Sequence, residues 1–202
     1  MKVSATIAVS LLAALSVTAS AQESSKSPGG GIEIGEVIER YAKRNGKQFA
    51  LDSRVRAQVS LAGLDPAQIN YDQLLSLLAV HGFVVSEAGG ILAVVPDANA
   101  RQLPSPIYTD VNFKASDQEI VSLVVTTHKV CAAHLVPVIR PLMPQAAHLA
   151  AHPASNTLII NDRAINARRV AALIEQIDRR GTGAKDCQPR ETAAPPAPKP
   201  AA

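Results

Sequence analysis

From residue 32 onward the apolar positions follow two periods in turn. Ile34, Val37, Ile38 and Tyr41 recur at helical spacing and stop at Asn45-Gly46, a pair suited to closing a helix. Phe49 and Leu51 then alternate with polar neighbours, and Val55, Ala57, Val59 and Leu61 alternate with Arg54, Arg56, Gln58 and Ser60, predicting two half-buried strands. Asn70 with Gln73 three residues on forms a capping-box start, and Tyr71, Leu74, Leu75 and Leu78 form a second helical stripe ending at His81-Gly82. Phe83–Val85 and Ile91–Val95 flank Gly89-Gly90, a hairpin signal closed by Pro96. These elements make one small α/β unit over residues 32–97.

Residues 98–118 carry Pro104-Ser105-Pro106 and predict a linker. A second unit over 119–179 opens with Ile120, Val121, Leu123 and Val125 alternating. A helix follows from about Cys131, with Leu135, Val138, Ile139 and Leu142 on one face. Pro137 and Pro141 fall inside it; an interior proline costs ~3 kcal/mol, which predicts a kink or an early end. Pro153-Ala154-Ser155-Asn156 predicts a turn, Thr157–Ile160 a buried strand and Asn161-Asp162 a helix cap. Val170, Leu173, Ile174 and Ile177 then trace a helix that stops at Gly181. The expected fold class is α+β, two small α/β-layer domains of which the second runs β-α-β-β-α, a KH-like topology.

The ends of the chain read differently. Met1-Lys2, the apolar run Val3–Val17 and the small residues of Ala19-Ser20-Ala21 predict a secretory signal peptide over 1–21, too short for the ~20 apolar residues of a membrane span. Residues 22–31 are a Gly-rich flexible lead-in, and residues 180–202 a Pro/Ala-rich tail expected to be disordered. Lys plus Arg number 20 and Asp plus Glu 17, a net +3 too small and too mixed to point to nucleic acid or a membrane surface. Trp is absent, which argues against stacking platforms for bases or sugars.

Chemistry-bearing residues are sparse. His148 and His152 share a face four residues apart, but no third metal ligand is evident beyond Asp162, and no Cys is near in sequence. His128 and His134 flank Cys131 without an oxyanion-hole motif or an orienting third group. Gly29-Gly30-Gly31 precedes a helix, but no Lys-Ser/Thr follows, as a phosphate loop needs. No G-x-x-G loop accompanies the KH-like order, which excludes that mode of RNA binding. Arg54 and Arg56 with Arg40, Lys43 and Arg44 make a basic surface, read as solvated or as a docking face. No enzyme, cofactor or metal is expected.

Two resemblances cover most of the chain beyond residue 31. Val124-Val125, Lys129-Val130, Leu135–Leu142 and His148–Ile160, above all its run His152–Ile160, resemble the second N-terminal periplasmic domain of the general (type II) secretion pathway secretin. Lys47–Asp52, Arg54-Val55, Leu74–Phe83 and the hairpin resemble its first N-terminal domain, which is similar to a signalling domain of certain TonB-dependent receptors. The resemblance implies an exported, non-enzymatic interaction module of a secretion or pilus machine. It would lack the pore-forming part of such secretins and work in the periplasm at an outer-membrane complex. Its partners would be an inner-membrane component, the secretin, or further copies of itself. The alternative is a periplasmic signalling module.

The family places a strand before the first helix, where this chain has Gly29–Ile34, so an uncovered sheet edge is expected there. The receiving strands by pattern are Arg54–Leu61 and Ile91–Val95, with Arg54, Arg56, Val59, Leu61, Ile91 and Val94 as candidate docking residues. In the β-α-β-β-α order the first helix of the second unit starts where its last helix finishes. Export to an oxidising compartment then makes Cys131 and Cys187 a candidate disulfide.

Overall fold

The computed structural model describes residues 31–183. The expected signal peptide, nearly all of the lead-in, Cys187 and most of the tail lie outside them.

In the first unit β1 (Ile32–Glu33) leads directly into α1 (Ile34–Asn45), which buries Ile34, Val37, Ile38 and Tyr41 as its stripe predicts. β2 (Phe49–Leu51) and β3 (Gln58–Val59) follow. α2 (Tyr71–Val80) begins on the predicted capping box: the Gln73 N–H donates to Asn70 Oδ1 at 2.8 Å and the Asn70 N–H to Gln73 Oε1 at 2.9 Å. β4 (Phe83–Ala88) and β5 (Ile91–Pro96) form the hairpin, with Gly89 and Gly90 both at positive φ, the backbone that a two-residue turn of matching twist requires.

Two expectations fail in this unit. The strand ahead of the first helix is present, because β1 pairs antiparallel with β3, Ile32 opposite Val59. The run Arg54–Leu61 is mostly not a strand. The Val55 and Arg56 N–H groups donate to Asp52 and Arg54 carbonyls in tight turns, and only Gln58–Val59 extend. Its alternation arises because Val55 and Val59 both plug into the core under α1, at 5% and 1% exposure, while the backbone bends between them. β2, β5 and β4 form a second sheet in that order, β2 parallel to β5.

The stretch after β5 is structured. A 3-10 helix spans Asp97–Gln102, and β6 (Ile107–Tyr108) pairs parallel with β7 (Ile120–Thr126). Between them Tyr108 stacks on Phe113 with centroids 4.4 Å apart, and the Arg168 guanidinium covers the Phe113 ring at 4.6 Å. α3 (Ala132–Ile139) stops early, as its prolines predict, and a 3-10 turn carries Pro141. Val138, on the outer side of α3, and Leu142, in the 3-10 turn, are exposed, so their expected burial is not realised. β8 (His148–His152), β9 (Thr157–Arg163) and α4 (Ala164–Arg180) complete the unit. β9 runs through Asn161 and Asp162, which pair with Ser122 and Val121 of β7 and are therefore strand residues and not a cap.

The four-stranded sheet has the order β6-β7-β9-β8. Val121 and Leu123 from β7 and Leu158 and Ile160 from β9 point to one face, where they meet Leu135 and Ile139 of α3 and Val170, Ala171 and Ile174 of α4. A smaller cluster of Val84, Ala100 and Ile120 joins the two units, with Val95 and Leu103 at its margin.

The loop between β7 and α3 has no regular partner for its backbone, and two side chains provide one. Asn156, in the left-handed conformation at φ 49°, donates from Nδ2 to the carbonyls of Thr127 (2.7 Å) and Val130 (3.1 Å) and accepts the Ala132 N–H on Oδ1 at 2.8 Å. From the other side, Asp178 of α4 accepts the N–H groups of His128, Lys129 and Val130. Burial works to raise the Asp178 carboxyl, but these three donors outweigh it and its pKa falls below the ordinary value.

Two predictions follow from this loop. Asn156→Ala loses three hydrogen bonds and strains a left-handed backbone, and costs about 3 kcal/mol in denaturant melts. Asn156→Gly loses only the bonds and costs about 1 kcal/mol less; equal losses would remove the backbone part of the account. Because the folded-state pKa of Asp178 is depressed, its contribution is complete above the unfolded value near 4 and fades as pH falls through the lower folded value. The stability difference between the wild type and Asp178→Asn therefore shrinks below about pH 4, as thermal melts across that range should show.

Candidate interaction site

The expected docking residues divide on inspection. Ile91 and Val94 lie on β5, the middle strand, whose two sides are taken by β2 and β4. No added strand can reach it, so these two are corrected. Val59 is buried and its strand is already paired to β1. Leu61 is half-buried against the same core, beyond the end of β3. Arg54 is clamped in its turn, with Nε and Nη2 each 2.9 Å from Asp52, whose pKa this contact lowers to about 2. Arg56 is exposed and stands apart from it.

The rest of the basic surface is internally committed. Arg40 pairs with Glu36 and Lys43 with Glu39, each one helical turn back, and Arg44 donates to the carbonyls of Ala67 and Ile69. These contacts describe a solvated helix face that also ties down the chain before α2.

The histidine readings separate likewise. His148 stands opposite Asn161 across the β8–β9 pair, and strand alternation puts Asp162 on the other face of the sheet. His152 bonds Ser155 Oγ through Nδ1 at 2.8 Å. Among the described residues no three His, Cys, Asp or Glu side chains group as a metal site. Cys131 is buried just ahead of α3, whereas His128 and His134 are exposed. The Cys187 half of the candidate disulfide lies outside the described residues.

Sequence reasoning missed two features. The first is the joint between the units, built on Arg163 at the end of β9. Its guanidinium donates to the carbonyls of Phe83 (3.4 Å) and Gln118 (3.5 Å) and lies 3.6 Å from the Asp97 carboxylate. Beside it burial pushes the Asp162 carboxyl up, while bonds from Asn166 and the Arg163 N–H pull it down. Asn161, 7% exposed, bonds Ser105 and Ser122 through Nδ2 and holds the proline-rich stretch onto the sheet.

The second is a groove of about 300 Å³ between β4 and that stretch, lined by Val85, Ser86 and Glu87 on one side and Leu103–Pro106 on the other, with Glu119 and Ile120 at its end. β4 is an edge strand. Opposite Phe83 stands Pro96, which has no N–H, so the Phe83, Val85 and Glu87 backbone groups point away from β5. The Gly82 carbonyl confirms the phase by accepting the Asp97 N–H at 2.8 Å on the β5 side. Arg163 takes the Phe83 carbonyl; no described residue takes those of Val85 or Glu87.

Comparison with known proteins agrees with this architecture. Residues 30–94 match the family described as "GspD-like, N0 domain", and residues 122–183 match "Bacterial type II/III secretion system short domain". The chain is 32% identical to secretin XcpQ of Pseudomonas aeruginosa over 74% of its own length and 22% of the relative's. It is 30% identical to secretin PulD of Klebsiella pneumoniae over 75% and 24%. It thus spans under a quarter of the length of these relatives. The outer membrane complex of the Klebsiella pneumoniae type II secretion system, which contains PulD, PulS and the PulC HR domain, matches with a TM-score of 0.63 and 28% identity, covering 76% of this chain and 26% of that one. Residues 30–94 thus belong to the GspD-like N0 domain family and residues 122–183 to the secretin short-domain family, and the chain is homologous to the N-terminal domains of type II secretion secretins.

Proposed function

We propose that this chain is a non-enzymatic, periplasmic protein–protein interaction module of a type II-like secretion machine. The observation that supports it best is the homology running through both units and their joint, in a structure whose sheets leave the outer sides of β2, β4, β6 and β8 without a strand partner among the described residues. Exposed edges are avoided in proteins that work alone and used by those that recruit partners. The matched complex contains PulD, PulS and the PulC HR domain; the partners proposed for this chain are likewise components of a secretion machine, an inner-membrane one or the secretin-type assembly itself. Among the described residues no helix is long and apolar enough to cross a membrane.

This location carries a covalent corollary: Cys131 pairs with Cys187. The end of α4 is anchored on the loop that leads into Cys131, and Gly181 sits so close that an added Cβ would meet Val130 Cγ2 at 2.7 Å and Lys129 Cβ at 2.9 Å. Cys187 follows Gly181 by a short tether. The bridge would stabilise the second unit by about 4 kcal/mol on the chain-entropy account.

Affinity capture of the tagged chain from its own envelope extract should recover secretion components identifiable by mass spectrometry. Recovery of sigma-factor regulators in their place would move the reading to the signalling alternative. Thiol labelling of the unreduced, denatured protein should find no reactive cysteine, and two labelled thiols per chain would dispose of the bridge.

A further inference from the structure

The groove along β4 has a definite chemical character. Its backbone offers the N–H and C=O groups of Val85 and Glu87, spaced as one strand presents them to the next. Arg163 already fills the first outward position, at Phe83, so the edge is occupied by a cation donor up to the point where the groove begins. The facing wall, Leu103–Pro106, brings two prolines with no N–H to compete.

The charge of the groove points one way. Glu87 and Glu119 both line it, and neither joins an ion pair among the described residues. Among the described residues the Glu119 carboxylate accepts only the Ser116 N–H, at 3.2 Å. Burial, and then the negative field of Glu119 with smaller contributions that include Glu87, pushes the nearby Tyr71 hydroxyl up to about 12. Arg163, which holds the Phe83 carbonyl on the same edge, is committed to Asp97 and to carbonyls.

We infer that this groove binds an extended segment of another protein, which adds a strand to β4 at Val85 and Glu87 and sets lysine or arginine side chains against Glu87 and Glu119. The backbone supplies affinity and the two carboxylates supply selectivity. This inference rests on the interaction-module reading and names one surface and one class of partner for it.

The test uses the purified chain and two acetylated, amidated peptides, TVKVKVT and its glutamate counterpart TVEVEVT, titrated with NMR detection of backbone amides. The lysine peptide should shift the amides of Val85 and Glu87 and bind at least about tenfold tighter than the glutamate peptide, the scale of two partly exposed ion pairs. The double change Glu87→Gln with Glu119→Gln, both at solvent-accessible positions, should remove that preference and leave the melting temperature unchanged. A lysine peptide N-methylated at alternate residues should lose binding, because it cannot donate to the strand. Equal binding of the two peptides, no binding of either, shifts that map away from β4, or concentration-dependent self-association through β4 would each overturn the proposal. Its failure beside successful capture of secretion components would leave the module reading standing; failure of that capture beside lysine-selective peptide binding would do the reverse.

Discussion

The second unit depends on how five residues, Thr127–Cys131, satisfy their backbone. A β-strand must leave the sheet here and begin a helix, and a turn this close to the core has little water to hydrogen-bond with. Asn156 serves it from the β8–β9 turn and Asp178 serves it from the last helix. One loop thereby gathers three elements distant in sequence. The left-handed backbone of Asn156 is the condition for this, since it aims the amide inward at the turn's crest. The run from His152 to Ile160, the most distinctive part of the family resemblance, thus has a physical reason for its asparagine.

The helices and the hairpin were legible because each is local. The capping box of Asn70 and Gln73, the stripe of α1 and the paired glycines of the β4–β5 turn each signal their element within a few residues. What was hidden is whatever depends on distant pairing. β1 is two residues long and exists because β3 lies beside it, so Ile32-Glu33 carry no strand signal of their own. Asn161 and Asp162 look like a cap, yet β7 draws them into the ladder. The central place of β5 follows from its parallel partner β2, which no hairpin pattern announces. For the same reason Ile91 and Val94 belong to a central strand, and the free edge lies one strand over, on β4.

The joint between the units combines a small apolar cluster with one arginine. Val84, Ala100 and Ile120 bury little area by themselves, whereas Arg163 adds direction by bonding Phe83 and Gln118 on opposite sides of the junction. Asn161 and Arg168 hold the connecting chain down at two further points. A stretch that composition marks as a linker is in this way built into the wall of the groove. The surface proposed for binding is thus shared by both units and requires both to be folded.

The parallel pairing of β2 with β5 also sets an order of assembly. As the chain emerges from its amino end, Phe49–Leu51 are synthesised long before Leu92–Val94, their strand partners among the described residues. The β4–β5 hairpin closes quickly across two glycines, and β2 must then be recruited over a long loop, at a cost in closure entropy that slows the step. Until that happens β2 has two naked edges and three apolar side chains. An unpaired strand of this kind is a template for wrong pairing, so the first domain is protected from it only once Leu92–Val94 are in place.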